Sequence, residues 1–152
     1  MNGFSIQPAT EADREWCARV MAATDPWVTL GRGYEQCLAR CRQAELIALV
    51  ARLNETPLGF ILLHPTGLAG SPYVASIATA AEARGQGVGS ALLEAAEAWF
   101  PNARHIFLCV SSFNARARRL YERRGYAMVG ELMDYVIQGA SEILMHKNLV
   151  RP

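Results

Sequence analysis

The stretch that most restricts what this chain can fold into runs from Tyr73 to Phe100, YVASIATAAEARGQGVGSALLEAAEAWF. It opens as an apolar run of small and β-branched residues and closes as an amphipathic run with apolar residues three and four apart. That pattern reads as a strand followed by a helix. Between them Arg84-Gly85-Gln86-Gly87-Val88-Gly89-Ser90 holds three glycines in five positions. Without Cβ atoms the backbone can take positive φ and approach a ligand closely. The first amides of the helix then point outward unpaired, at the positive end of the helix dipole. Such a strand-turn-helix unit suits a phosphate or pyrophosphate.

Two common phosphate loops are excluded on residues. A dinucleotide fingerprint needs Gly-x-Gly-x-x-Gly, whereas here Gly85-Gln86-Gly87-Val88-Gly89 is followed by Ala91 and Leu92. A triphosphate loop needs Gly-x-x-x-x-Gly-Lys-Ser/Thr, and the one lysine of the chain is Lys147.

A third arrangement matches. Arg84-x-x-Gly87-x-Gly89, after a short strand and before a helix, resembles the acyl-coenzyme A signature of the GNAT family of N-acetyltransferases. Asn114-Ala-Arg-Ala-Arg-Arg-Leu120-Tyr121-Glu-Arg-Arg-Gly125-Tyr126 is similar to the family's second motif, Asn-x-x-Ala/Ser-x-x-Leu-Tyr-x-x-x-Gly-Phe/Tyr, with Arg at the Ala/Ser position. One helix and one strand (His105 to Ser111) separate the two motifs, as the family requires. The likeness is sharp from about Tyr73 to Tyr126 and fades before it.

At 152 residues the chain reads as one domain, 1–152, able to bury a single sizeable core. With 51% hydrophobic and 19% charged residues it belongs with globular rather than disordered chains. A net charge of +1 gives no reason to expect nucleic acid or an anionic membrane as partner. The apolar runs fall well short of the roughly twenty residues of a membrane span. No basic region followed by an apolar core marks a secretory signal. Cys37 and Cys41, four apart on a helix, would be half a metal site, but no Cys or His pair completes it, so no metal is expected. Cys17, Cys37, Cys41 and Cys109 read as ordinary free cysteines of a cytoplasmic protein.

Along the chain the pattern predicts a strand from Phe4 to Pro8, a helix from Glu11 to Ala23 opened by a Thr10–Asp13 capping box, and a second helix from Tyr34 to Gln43. Strands at 46–53 and 58–64 form a hairpin around a four-residue loop, Asn54-Glu-Thr-Pro57. Gly67 to Gly70 turns into the central strand. Val88, Leu92, Leu93, Ala96 and Trp99-Phe100 give the next helix its buried stripe. A strand at 106–110, a helix at 114–123 ended by Gly125 and two antiparallel strands turning near Gln138-Gly139 complete the order. This is an α/β fold, a mixed and largely antiparallel sheet flanked by helices. The resemblance implies that its two central strands splay apart and hold the pantetheine arm of acetyl-coenzyme A in the gap.

The resemblance also assigns roles. Amides of Arg84, Gly85, Gln86, Gly87, Val88, Gly89 and Ser90 would hold the pyrophosphate, and the backbone of Ile77, Ala78 and Thr79 would pair with the pantetheine as an added strand does. Asn114 would bond the same arm, or serve as an N-cap. Arg116 and Arg119 would lie near the adenosine 3′-phosphate, unless that run is a plain solvated face. Tyr121 would give a proton to the leaving thiolate, its alternative being a core tyrosine. Trp27, Tyr34 and Glu35 would touch the acceptor, or else cap the core and face solvent. The implied activity is acetyl transfer from acetyl-coenzyme A to a primary amine of a small molecule or peptide. The other reading is a coenzyme A-binding sensor with the same fold and little catalysis. A homodimer through the C-terminal strands is allowed by analogy.

The general base stays open at this level. One branch of the family, which acetylates ribosomal-protein N-termini, carries Glu in the strand before the asparagine; here that strand reads Leu108-Cys109-Val110. Cys109 as an acyl-carrying nucleophile lacks a basic neighbour. Water, Glu35, Glu131 or Asp134 are the other options.

Overall fold

The structure, a computed structural model, describes residues 3–150. The elements run β1 (Ser5–Pro8), α1 (Glu11–Ala22), α2 (Tyr34–Cys41), β2 (Ile47–Leu53), β3 (Thr56–Leu68), β4 (Ser71–Thr79), α3 (Val88–Trp99), β5 (His105–Ser111), α4 (Ala115–Arg123), β6 (Ala127–Met133) and β7 (Ser141–Asn148). A single 3₁₀ turn, Ala81–Ala83, intervenes between β4 and the glycine turn. The strands form one seven-stranded sheet in the order β1-β2-β3-β4-β5-β7-β6, antiparallel throughout except between β4 and β5. The expected order and the mixed sheet are therefore both present.

Strand alternation divides the core in two. Leu49, Ala51, Ile61 and Leu63 face α3 and α4 and pack with Val88, Leu92, Leu93, Ala96 and Tyr121. Ala48, Val50, Phe60 and Leu62 face the other way, onto Cys17, Met21, Cys37, Leu38 and Cys41 of α1 and α2. A strand buried on both faces must be apolar at every position, which is why β2 and β3 read as unbroken hydrophobic runs. Cys37 and Cys41 are thus small core residues, and burial pushes both thiols up from their ordinary pKa, Cys41 to about 11.

Three local features differ from the expected pattern. The β2–β3 hairpin closes over two residues, Asn54 and Glu55, because Leu53 pairs with Thr56 and Asn54 accepts a left-handed φ of 56°. β3 continues to Leu68 and turns at Ala69-Gly70, whose φ values of 51° and 82° are those a tight mirror-type turn requires. Trp99 is 45% exposed at the last position of α3, beside Pro65, Pro72, Phe100 and His105 rather than in the stripe.

α3 approaches the sheet tightly at Gly59 of β3. A Cβ there would lie 2.8 Å from the Ala78 carbonyl oxygen and from Val88 Cγ1, and 3.2 Å from Leu92 Cδ1. Gly59→Ala is expected to cost about 1–3 kcal/mol through overpacking, read as a lower urea midpoint. An unchanged midpoint would mean that α3 does not press on β3 there.

Candidate active site

β4 and β5 are paired at only two positions, Tyr73 with Phe107 and Val74 with Leu108. Beyond these the strands part. A bulge at Ala75 marks the point, since Leu63 pairs with Val74 but Leu62 with Ser76. Ser76 to Thr79 remain paired with β3 on one side and face a gap on the other. The result is a cleft of about 1080 Å³, lined by Tyr73 to Thr79, by Leu108 to Ser111 and by residues of all four helices or the turns that lead into them.

The glycine turn forms one end of this cleft. Arg84, Gly85, Gly87, Val88, Gly89 and Ser90 line it. Gly85 and Gly87 have φ of 79° and 85°, which L side chains rarely adopt, and nothing lies within 4 Å of a Cβ placed on either. The N-termini of α1 and α4 are capped by side chains, and α2, whose N-cap is Gly33, carries the acidic Glu35 in its first turn. Thr10 accepts from the Asp13 amide and Asp13 from the Thr10 amide, Gln36 accepts from the Gly33 amide, and Asn114 accepts from the Ala117 amide. α3 alone begins without a side-chain cap and without an acidic residue in its first turn. Its first amides, at Val88, Gly89 and Ser90, have no carbonyl one turn back to receive them. An anion fits there by both geometry and charge.

The expected cofactor residues divide. Ile77, Ala78, Thr79, Asn114, Arg116 and Tyr121 line the cleft with the turn. Gln86 does not, and its side-chain Nε2 donates back to the Glu82 carbonyl at 3.4 Å. Arg119 does not either, and Arg123 takes its place. The reason is helical phase. At about 100° per residue, the inward residues Ala117, Leu120 and Tyr121 put Arg116 and Arg123 on one flank and Arg119 nearly behind. Spacing of three pairs Arg116 with Arg119, whereas position relative to the apolar stripe pairs Arg116 with Arg123.

Tyr121 is 6% exposed, with its ring edge-on to Tyr126 at 6.3 Å between centroids. Its hydroxyl has no hydrogen-bond partner among the described residues, yet it is not among the buried polar atoms, so it opens onto the cleft. Burial pushes its pKa up, so the oxygen keeps its proton across the neutral range.

On the acceptor side, Trp27 lines the cleft, together with Asp25, Arg32, Gln36 and Arg40. Tyr34 does not, being packed half-buried against the α1–α2 core, and Glu35 is exposed outside it. Glu131 and Asp134 are likewise exposed and outside, on β6 and the turn that follows it. The carboxylate that does line the cleft from this end of the sheet is Glu142 of β7, a residue the sequence reading passed over. It lies directly across from Ser111, whose hydroxyl donates to Glu142 Oε2 at 2.6 Å. Tyr73 and Cys109 line the cleft close by, and burial pushes the Cys109 thiol up, away from the thiolate a nucleophile needs.

Comparison with known proteins agrees with this geometry. An uncharacterised N-acetyltransferase of Methanocaldococcus jannaschii is 36% identical over 101 residues, which span 64% of this chain and 64% of that protein. The fold matches that of Ard1 from Thermoplasma volcanium with a TM-score of 0.79 at 22% identity, covering 98% of this chain and 99% of the other. It matches an aminoglycoside 6′-N-acetyltransferase solved with coenzyme A at 0.78 and 18% identity, covering 97% and 99%. The model of the acetyltransferase (GNAT) family matches residues 11–126, a span running from the start of α1 to the end of the second motif. With the splayed strands, the uncapped helix and both motifs in register, the chain belongs to the GNAT family of acetyltransferases.

Proposed function

We propose that residues 1–152 form one domain that transfers the acetyl group of acetyl-coenzyme A to a primary amine, by direct attack within a ternary complex. The observation that carries this is the gap between β4 and β5 with the uncapped amides of α3 at its end: an unpaired strand edge for an amide-bearing arm, continuous with an anion site. Family membership and relatives solved with acetyl-coenzyme A or coenzyme A support the choice of donor.

In this reading the Arg84–Ser90 turn holds the pyrophosphate and Arg116 and Arg123 face the remaining phosphate. Asn114 lines the same cleft, with its Oδ1 engaged as the α4 cap. The backbone of Ile77 to Thr79 pairs with the pantetheine, and an amide there, at Ala78 or Ile77, meets the thioester oxygen as charge develops on it. The amine enters past Trp27 and Gln36 and attacks the carbonyl carbon. As the carbon–sulfur bond breaks, Tyr121 gives its proton to the sulfur. The acceptor in this reading is a small molecule or a peptide.

No helix among the described residues is long and apolar enough to cross a membrane. The four cysteines are free, which suits a reducing compartment and supports placing the protein in the cytoplasm. A homodimer through the C-terminal strands is supported by β6, an edge strand exposing Met128, Val129, Leu132 and Met133.

The donor is tested by thermal unfolding with acetyl-coenzyme A, NADH or ATP. At a hundredfold excess over Kd, linkage adds about 2.7 kcal/mol, a rise on the order of 5–10 °C for a domain of this size. A rise with acetyl-coenzyme A alone is expected. A rise with ATP, or none, would contradict the assignment of the cleft.

A further inference from the structure

An ammonium cannot attack a thioester, so the site needs a group that takes a proton from the amine. Two carboxylates line the cleft among the described residues, Asp25 and Glu142, and no histidine does. Asp25 is engaged within its own turn, its Oδ1 accepting from the Thr29 amide at 3.0 Å and from the Thr29 hydroxyl at 2.6 Å. Glu142 accepts one hydrogen bond, from Ser111 to Oε2, and Oε1 has no partner among the described residues. Its position follows from the sheet order. β7 lies next to β5, and the pair Ser111–Glu142 falls where β5 has already separated from β4. Tyr73 of β4 and Cys109 of β5 line the same part of the cleft, and Ser111 fixes one oxygen of the carboxylate.

We infer that Glu142 is the general base of the reaction, with Ser111 as the positioning residue that orients its carboxylate toward the gap between β4 and β5. The inference rests on the acetyl-transfer reading above. Glu142 takes one proton from the alkylammonium, and the freed lone pair on nitrogen forms the bond to the carbonyl carbon. When the carbon–sulfur bond breaks, its electron pair leaves on sulfur, which receives the Tyr121 proton. The second proton of the nitrogen replaces the one Tyr121 gave, and Glu142 releases its own to solvent. The sum is one amide, one thiol and one proton from an alkylammonium and a thioester.

The test compares acceptors of one shape but different basicity. n-Propylamine and phenethylamine are cations at pH 7, whereas O-ethylhydroxylamine and O-benzylhydroxylamine are already neutral. Thiol release from acetyl-coenzyme A is measured for the wild type, Glu142→Gln and Ser111→Ala. Glu142→Gln is expected to lower kcat/KM roughly tenfold for the alkylamines at pH 7, to leave the alkoxyamines within about twofold, and to bind acetyl-coenzyme A as the wild type does. Ser111→Ala should give a smaller loss with the same selectivity. Equal losses in both arms would mean a structural role and overturn the inference, as would wild-type rates with alkylamines. Wild-type turnover of the amines tests the transfer reading separately; a wild type inert toward all four acceptors that still binds acetyl-coenzyme A overturns both.

Discussion

Gly87→Glu is expected to abolish acetyl-coenzyme A binding, raising Kd at least ~100-fold, or about 2.7 kcal/mol, while the protein still folds. The two halves of that expectation have different origins. Gly87 has a φ of 85° and open space around it, so a side chain there meets no protein atom. The folding cost is then the left-handed strain alone, about 1–2 kcal/mol. The same open space is the anion site, however, at the uncapped start of α3. A carboxylate placed there competes for the helix amides as an N-terminal acid would and repels a pyrophosphate. Gly87→Ala serves as the control, carrying the strain without the charge, and should weaken binding far less. Calorimetric titration of both variants checks this. Normal binding by Gly87→Glu would mean that the pyrophosphate is held elsewhere.

Tyr121→Phe is expected to lower kcat about 10²-fold, the lower part of the range for proton transfer by a placed side chain, with the Kd for acetyl-coenzyme A within about twofold. The ring is buried against Tyr126, and phenylalanine keeps that packing. What is lost is one hydroxyl without a partner among the described residues, open to the cleft and kept protonated by burial. Removing it therefore leaves no orphaned donor or acceptor behind, and stability should hardly change. Pre-steady-state thiol release separates chemistry from product release. An unchanged rate of the chemical step would remove Tyr121 from the mechanism and leave the thiolate to be protonated by water.

What could be read from the chain and what could not follow one physical line. The glycine turn, α3 and the Asn114–Tyr126 motif are local: their residues act through turns and helix ends set by neighbours in sequence. The structure accordingly places Gly87, Gly89, Asn114 and Tyr121 in one cleft, as their spacing implied. Failures arose where position depends on phase or on distant pairing. Arg119 and Arg123 differ by one helical turn, and only the packing of Leu120 and Tyr121 decides which lies nearer the cleft. Tyr34 and Glu35 open a helix whose core-facing residues are Cys37, Leu38 and Cys41, so one was drawn inward and the other left exposed. Glu142 was the least accessible of all. No motif marks Glu142, because its place beside the gap comes from β7 inserting between β5 and β6 with Glu142 opposite Ser111. The alternation of β7, with Ser141, Ile143 and Met145 buried, does set Glu142 on the opposite face, and that was the available signal.

The most direct test of acetyl transfer is thiol release from acetyl-coenzyme A by the wild-type protein, with a panel of primary amines and peptides and with no acceptor. Acetyl-transfer activity predicts release that depends on one class of amine, appears in equal amount as N-acetyl product, and is lost in Gly87→Glu. Tight binding of acetyl-coenzyme A with no amine-dependent release across the panel would contradict it and leave a coenzyme A-binding sensor built on the same fold.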